Sequence, residues 1–377
     1  AIWVYHFSVL SFMVSIIQVP YNATIIAHER MKVYAYVSIL EVSLKLLIVF
    51  LLVGISFDKL KLYGLLYFVV VLIIAAIYRI YTRRNFEESK FEVVKDRQLY
   101  KTLISYSGWN LFGASADVAQ GQGVNILLNI FFGPVANAAQ GIANQVRGAV
   151  NNFVSNFQLA VSPQIVKSYA SGEKDYLNSL IFGTAKFSFY LLFLIALPII
   201  LEVDQILKLW LKTVPEYTSS FTILSLGLIL LWPMSDPLMK AIQATGKIKK
   251  YQIITGTSMF LIFPITYLFY KFGFAAETTY IIAIIIEFLV LNVRLFIAGK
   301  LIDFPVINYI KEIIIKNILI VLISLSLPLF IRSLMDANIL RLIVVVFVSL
   351  IWNATIIYAI GLLKSEKAIV LRGIKKI

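Results

Sequence analysis

Nine charged side chains fall inside stretches of sequence that are otherwise apolar: Glu41, Lys45, Asp117, Arg147, Lys186, Asp236, Lys240, Glu287 and Arg294. A charge at mid-bilayer costs about 2.5–3.5 kcal/mol on insertion scales, so such groups pair with one another or face water. Glu41 and Lys45 are four apart on one helix face, as are Asp236 and Lys240. Glu287 and Arg294 are seven apart, two turns along one face. Counted outward from Gly133-Pro134, Asp117 and Arg147 are 16 and 13 residues away. At about 1.5 Å per residue they reach within roughly 5 Å of the same depth, so an inter-helix ion pair is expected. Lys186 has no partner in the sequence and is read either as snorkelling to an interface or as facing a cavity. For the rest, two readings stand. Either these groups neutralise one another and pin helices, or Arg147, Arg294, Lys240 and Lys186 lend positive potential to a wet cavity, with Asp117, Glu287, Asp236 and Glu41 as ion-coupling groups or counter-ions. Such cations suit a phosphate, which Arg binds through its planar fork and Lys as a point charge.

Amides crowd the same region. Asn144, Arg147, Asn151 and Gln158 recur at spacings of three, four and seven and share a helix face. Asn144 and Asn151, with Gln122 and Asn125 on the preceding segment, are candidate partners for sugar hydroxyls. The competing role is helix–helix adhesion beside Gly141, Ala143 and Gly148.

These residues must be carried by elements that live in lipid. The 377 residues are 60% hydrophobic and 14% charged, with a mean hydropathy of +0.87; a soluble domain has about a quarter of its residues charged. About 20 mainly apolar residues are needed per transmembrane helix, and about eleven stretches qualify: 2–27, 33–55, 62–80, 102–131, 135–163, 178–201, 218–243, 251–271, 278–299, 312–331 and 340–363. The runs are too long and continuous for a β-barrel. The expected fold class is therefore all-α and polytopic. Pro20, Pro198, Pro233, Pro237 and Pro264 lie within spans, and EVDQILKLWLKTVPEY reads as a short amphipathic surface helix.

The excess of 34 Lys and Arg over 20 Asp and Glu, net +14, reads as cytoplasmic loops and not as nucleic-acid binding. Placing the Arg30 turn in the cytoplasm and alternating puts 22 basic residues on that side and seven on the other. The charged run from Arg79 to Lys101 separates two bundles. The expected organisation is 1–81, the remainder of an N-terminal bundle; 82–101, a cytoplasmic linker; 102–301, a six-helix bundle; and 302–377, a final helix pair with a basic cytoplasmic tail. A shift of 217 residues overlays Pro20 on Pro237, Ala27 on Ala244, Arg30 on Lys247 and Tyr34 on Tyr251, a parallel repeat of the kind that transporters use.

The segments VPYNATIIAHERMKVYAYVSILEVSLKLL and SYSGWNLFGASADVAQGQGVNILLNIFFGPVANAAQGIANQVRGAVNNFVSNFQLAVSPQIVKSYASGEK resemble the polysaccharide-exporter branch of the multidrug/oligosaccharidyl-lipid/polysaccharide flippase superfamily, most closely Wzx-type O-antigen flippases. The resemblance runs from the fourth family helix to the fourteenth, with three helices expected before Ala1. It implies a MATE-like fold of two bundles around a central cavity. It also implies alternating access and a substrate of undecaprenyl-pyrophosphate-linked oligosaccharide, an O-antigen or capsule repeat unit, moved across a bacterial inner membrane. A polysaccharide polymerase and chain-length machinery are implied partners.

No Walker-type phosphate loop, H-E-x-x-H or G-x-S-x-G motif occurs, so neither an enzyme nor a cofactor is expected. Zero Cys and two His argue against a metal site. Two competing readings remain: a cation-coupled multidrug exporter of the same architecture, which favours an acidic or aromatic cavity, and a non-transporting membrane scaffold, which favours a sealed apolar interior.

Overall fold

The computed structural model describes residues 2–53, 58–90, 94–364 and 366–367. Residues 91–93 of the expected linker, and Arg372, Lys375 and Lys376 of the expected tail, lie outside these. In a bilayer the backbone must satisfy its own polar groups. The long apolar runs accordingly form helices, and no strand occurs among the described residues. Among the described residues, ten helical stretches are long and apolar enough to cross a membrane. The longest, Arg97–Ala170, is broken at Gly133, whose φ of 75° and ψ of −175° are not helical. Glycine takes that conformation without steric cost. Its two arms, 97–132 and 134–170, count as separate spans, which makes eleven. The protein is thus an all-α, multi-pass membrane protein.

The chain divides into two compact units, Ala1–Asp96 and Arg97–Ile377. In the first, α3 (Lys59–Asn85) packs against both α1 (Ile2–Ala27) and α2 (Met31–Val53). At Gly64 α3 lies close to α1, where a Cβ would make an ordinary 3.4 Å contact with the Val4 backbone. Ile25, Val37, Ile48, Val70 and Ile74 fill the core. The expected Glu41–Lys45 pair forms on α2, with 2.6 Å between Nζ and Oε1.

The second unit begins with the bent helix α4 (Arg97–Ala170), followed by α5 (Lys174–Leu201), the most buried span. The short helix α6 (Val203–Trp210) occupies the amphipathic stretch. Next, α7 (Thr218–Ile229) and α8 (Trp232–Ala244) make one span interrupted just before Pro233, which lacks the N–H needed to continue the ladder. Then come α9 (Lys249–Lys271) and α10 (Thr278–Ile302). The short helix α11 (Val306–Tyr309) runs through a π-helical turn into α12 (Lys316–Leu334), and α13 (Ile339–Ile356) ends in another π turn. The α12–α13 pair packs on α5, so the last two spans belong to this unit.

One polar contact ties three of these ends together. Glu202, wholly buried at the end of α5, accepts a hydrogen bond from Arg341 Nη2 at 3.1 Å and lies 3.8 Å from Arg332 Nε. Removing one member of a buried ion pair strands its partners, at a cost of about 3–5 kcal/mol. Glu202→Ala is therefore expected to lower stability by about 3 kcal/mol, read by thermal unfolding in mild detergent. An unchanged melting temperature would mean that the contact is not a staple.

Candidate functional site

Near the Gly133 turn the two arms of α4 share one core with α7, α9 and α10; farther from the turn, packing holds them on different neighbours. The first arm lies tight against α9. Gln252 Nε2 donates to Asn110 Oδ1 at 2.9 Å, and a Cβ at Gly113 would fall 2.2 Å from Gln252 Oε1. A Cβ at Gly123 would fall 2.4 Å from the Phe263 ring, so only glycine allows this approach. On the second arm, Val150 and Val154 pack with Leu192 and Ala196 of α5 and Leu226 of α7. Between the arms, closed in by α8, α9 and α10, is a cavity of about 810 Å³.

Four charged residues line it: Asp117, Arg147, Glu287 and Arg294. Two are acidic and two basic, so the lining is formally neutral and lacks the positive excess expected from the sequence. The α10 charges form the expected pair. Arg294 Nη1 donates to Glu287 Oε1 at 2.6 Å, and Arg294 Nε donates to the Tyr251 hydroxyl at 3.2 Å. Ser235 Oγ donates to the same Glu287 oxygen at 3.3 Å, and the Trp232 ring lies 5.8 Å from the guanidinium carbon. Both charges are buried.

The other two behave differently. No ion pair within 4 Å joins Asp117 and Arg147, and neither has a hydrogen-bond partner among the described residues. The expected inter-helix pair is not made, because the arms that carry the two groups are anchored to different helices. Amides surround them. Asn110 and Gln120 come from the first arm, Gln140, Asn144 and Asn151 from the second, and Gln243 and Gln252 from α8 and α9. The buried Tyr280 hydroxyl and Asn151 Oδ1 have no partner in the structure.

Of the expected site residues, Arg147, Arg294, Asn144, Asn151, Asp117 and Glu287 converge on this cavity. Lys186 does not. It is buried and paired with Glu366 in a separate pocket of about 350 Å³, which replaces snorkelling with an internal partner. Lys240 and Asp236 lie off the cavity lining, and no ion pair within 4 Å joins them among the described residues. Their i,i+4 spacing gives a shared face but does not force their rotamers together. Gln122 and Asn125 are exposed and off the lining. The inward face of the first arm passes through Asp117, Gln120, Gly121 and Val124 instead. Glu41 belongs to the first unit, where Lys45 neutralises it.

Sequence reasoning missed Trp232, Gln243, Tyr251, Gln252 and Tyr280. For Tyr280 a signal existed: Tyr280, Glu287 and Arg294 repeat every seven residues along α10. No group of three or more His, Asp or Glu suited to a metal ion occurs among the described residues. Comparison with family models, curated proteins and solved structures gives no match.

The buried α10 pair makes a coupled prediction. Glu287→Ala leaves Arg294 without its counter-ion and is expected to cost about 3 kcal/mol. Adding Arg294→Met should recover most of that loss in the same denaturation assay. Strictly additive losses would show that the two residues act independently.

Proposed function

We propose that this protein is a flippase that moves a lipid-linked oligosaccharide across a bacterial inner membrane by alternating access, with undecaprenyl pyrophosphate as the lipid carrier. The observation that carries this reading is an unpartnered guanidinium, Arg147, in an amide-rich cavity within a polytopic bundle. Phosphate oxygens accept two hydrogen bonds from such a planar fork, and amides supply donors and acceptors for sugar hydroxyls. A headgroup that oil excludes finds both here. The prenyl chain stays in the hydrocarbon.

The sequence resemblance supports the same reading, together with a polysaccharide polymerase and chain-length machinery as partners. An inside-negative potential supplies part of the driving force, about 2.3 kcal/mol per negative charge exported per 100 mV. An exporter of cationic drugs would favour a lining of net acidic charge. A scaffold would favour a dry apolar interior. The amides and charges of the lining do not suit a dry scaffold, and its formal neutrality does not suit an acidic cation cavity, while Trp232, Tyr251 and Tyr280 supply the aromatic groups that a drug exporter also favours.

Transport by full-length protein in proteoliposomes, followed with a fluorescent polyprenyl-pyrophosphate saccharide, tests this. Arg147→Ala should slow flipping at least about tenfold, which corresponds to losing about 1.4 kcal/mol of interaction. Lys240→Ala, off the cavity, should flip at close to the rate of the unaltered chain. Unimpaired flipping by Arg147→Ala, with normal insertion, would overturn the assignment.

A further inference from the structure

The cavity contains a second unpartnered charge, and it is negative. Asp117 lies on the first arm of α4, Arg147 on the second, and by residue count they sit at similar depth. Two opposite charges facing one cavity in a bilayer attract strongly where the local dielectric is low. They do not meet here, because Gly113 and Gly123 hold the first arm on α9 while Val150 and Val154 hold the second on α5 and α7. The remaining pair, Arg294–Glu287, is closed on itself, and Asp117 lies within electrostatic reach of both of its charges. The space around Asp117 is open: a Cβ at the neighbouring lining residue Gly121 would meet nothing within 4 Å.

We infer that the cavity takes a zwitterionic headgroup, in which a phosphate-type anion lies on Arg147 and a protonated amine, as on an amino sugar, lies on Asp117. This rests on the headgroup reading of the cavity and narrows its substrate class. A carboxylate that accepts charge-assisted hydrogen bonds from an ammonium contributes about 1.5–3 kcal/mol. A purely anionic sugar phosphate would leave Asp117 desolvated and unpaired beside it.

The test uses full-length protein in lipid nanodiscs with two soluble probes, glucosamine 1-phosphate and glucose 1-phosphate, and calorimetry as the readout. Glucosamine 1-phosphate should bind about tenfold tighter. Asp117→Asn, checked for folding by its own thermal melt, should collapse the difference between the probes. Asp117→Ser, checked likewise, should collapse it too. Arg147→Ala should weaken both. Equal affinities, or a preference that survives both Asp117 substitutions, would overturn the amine subsite and leave the phosphate reading standing. A sodium-dependent stabilisation lost in Asp117→Asn, with no discrimination between the sugars, would assign the carboxylate to a cation and likewise overturn the proposal. Failure of both probes to bind would overturn both readings.

Discussion

A charge without a partner inside a bilayer must be wetted, and that requirement governs the second unit. Arg147 and Asp117 have no partner among the described residues, so the space between the arms of α4 must hold water or a polar ligand. Three other span cations are neutralised, whereas Asp236 and Lys240 are not joined within 4 Å. Glu287 holds Arg294, Glu366 holds Lys186, and Glu41 holds Lys45. Only the Lys186–Glu366 pair joins distant segments of the chain; the other two lie within single helices. The unpaired charges mark the place where something else is received.

Keeping those charges apart takes structure. Gly133 turns the chain back so that both arms can share one cavity; a straight helix of 74 residues would run for about 111 Å. Gly113 and Gly123 bring the first arm down onto α9, and any side chain at either would collide with Gln252 or Phe263. The second arm is held by branched and small residues against α5 and α7. Rigid packing on different neighbours thus does what an ion pair would otherwise undo. The closed Arg294–Glu287 pair contributes differently: its buried network with Tyr251 and Ser235 makes α10 a fixed wall.

Hydropathy and charge were enough to read the spans and the polar character of α4, because a bilayer leaves long apolar runs few options. The i,i+4 pair on α2 and the i,i+7 pair on α10 were also legible, since both partners ride one helix, yet Asp236 and Lys240 at the same i,i+4 spacing do not pair within 4 Å. Pairing across helices was not. Asp117 and Arg147 lie at similar residue counts from Gly133, but residue count says nothing of which neighbour each arm packs on. Lys186 finds Glu366 from 180 residues away, a separation that no local spacing reports. Gln122 and Asn125 counted as candidates for their composition alone, and helix rotation turns them off the cavity. Tyr280 escaped notice because a tyrosine in an apolar span reads as packing until its hydroxyl is seen to be buried without a partner.

The central claim is a wet cavity with positive and negative poles on opposite arms of α4. These 377 residues contain no Cys, so a single thiol introduced here meets no other thiol from this stretch. Gly148 and Gly121 both line the cavity with open space above them, one next to Arg147 and the other one turn from Asp117. The measurement is the rate at which water-soluble thiosulfonate reagents of opposite charge modify Gly148→Cys and Gly121→Cys in membranes. The account predicts that both positions react, with the anionic reagent favoured at Gly148→Cys and the cationic reagent at Gly121→Cys. Unreactive thiols, or the same charge preference at both positions, would contradict it.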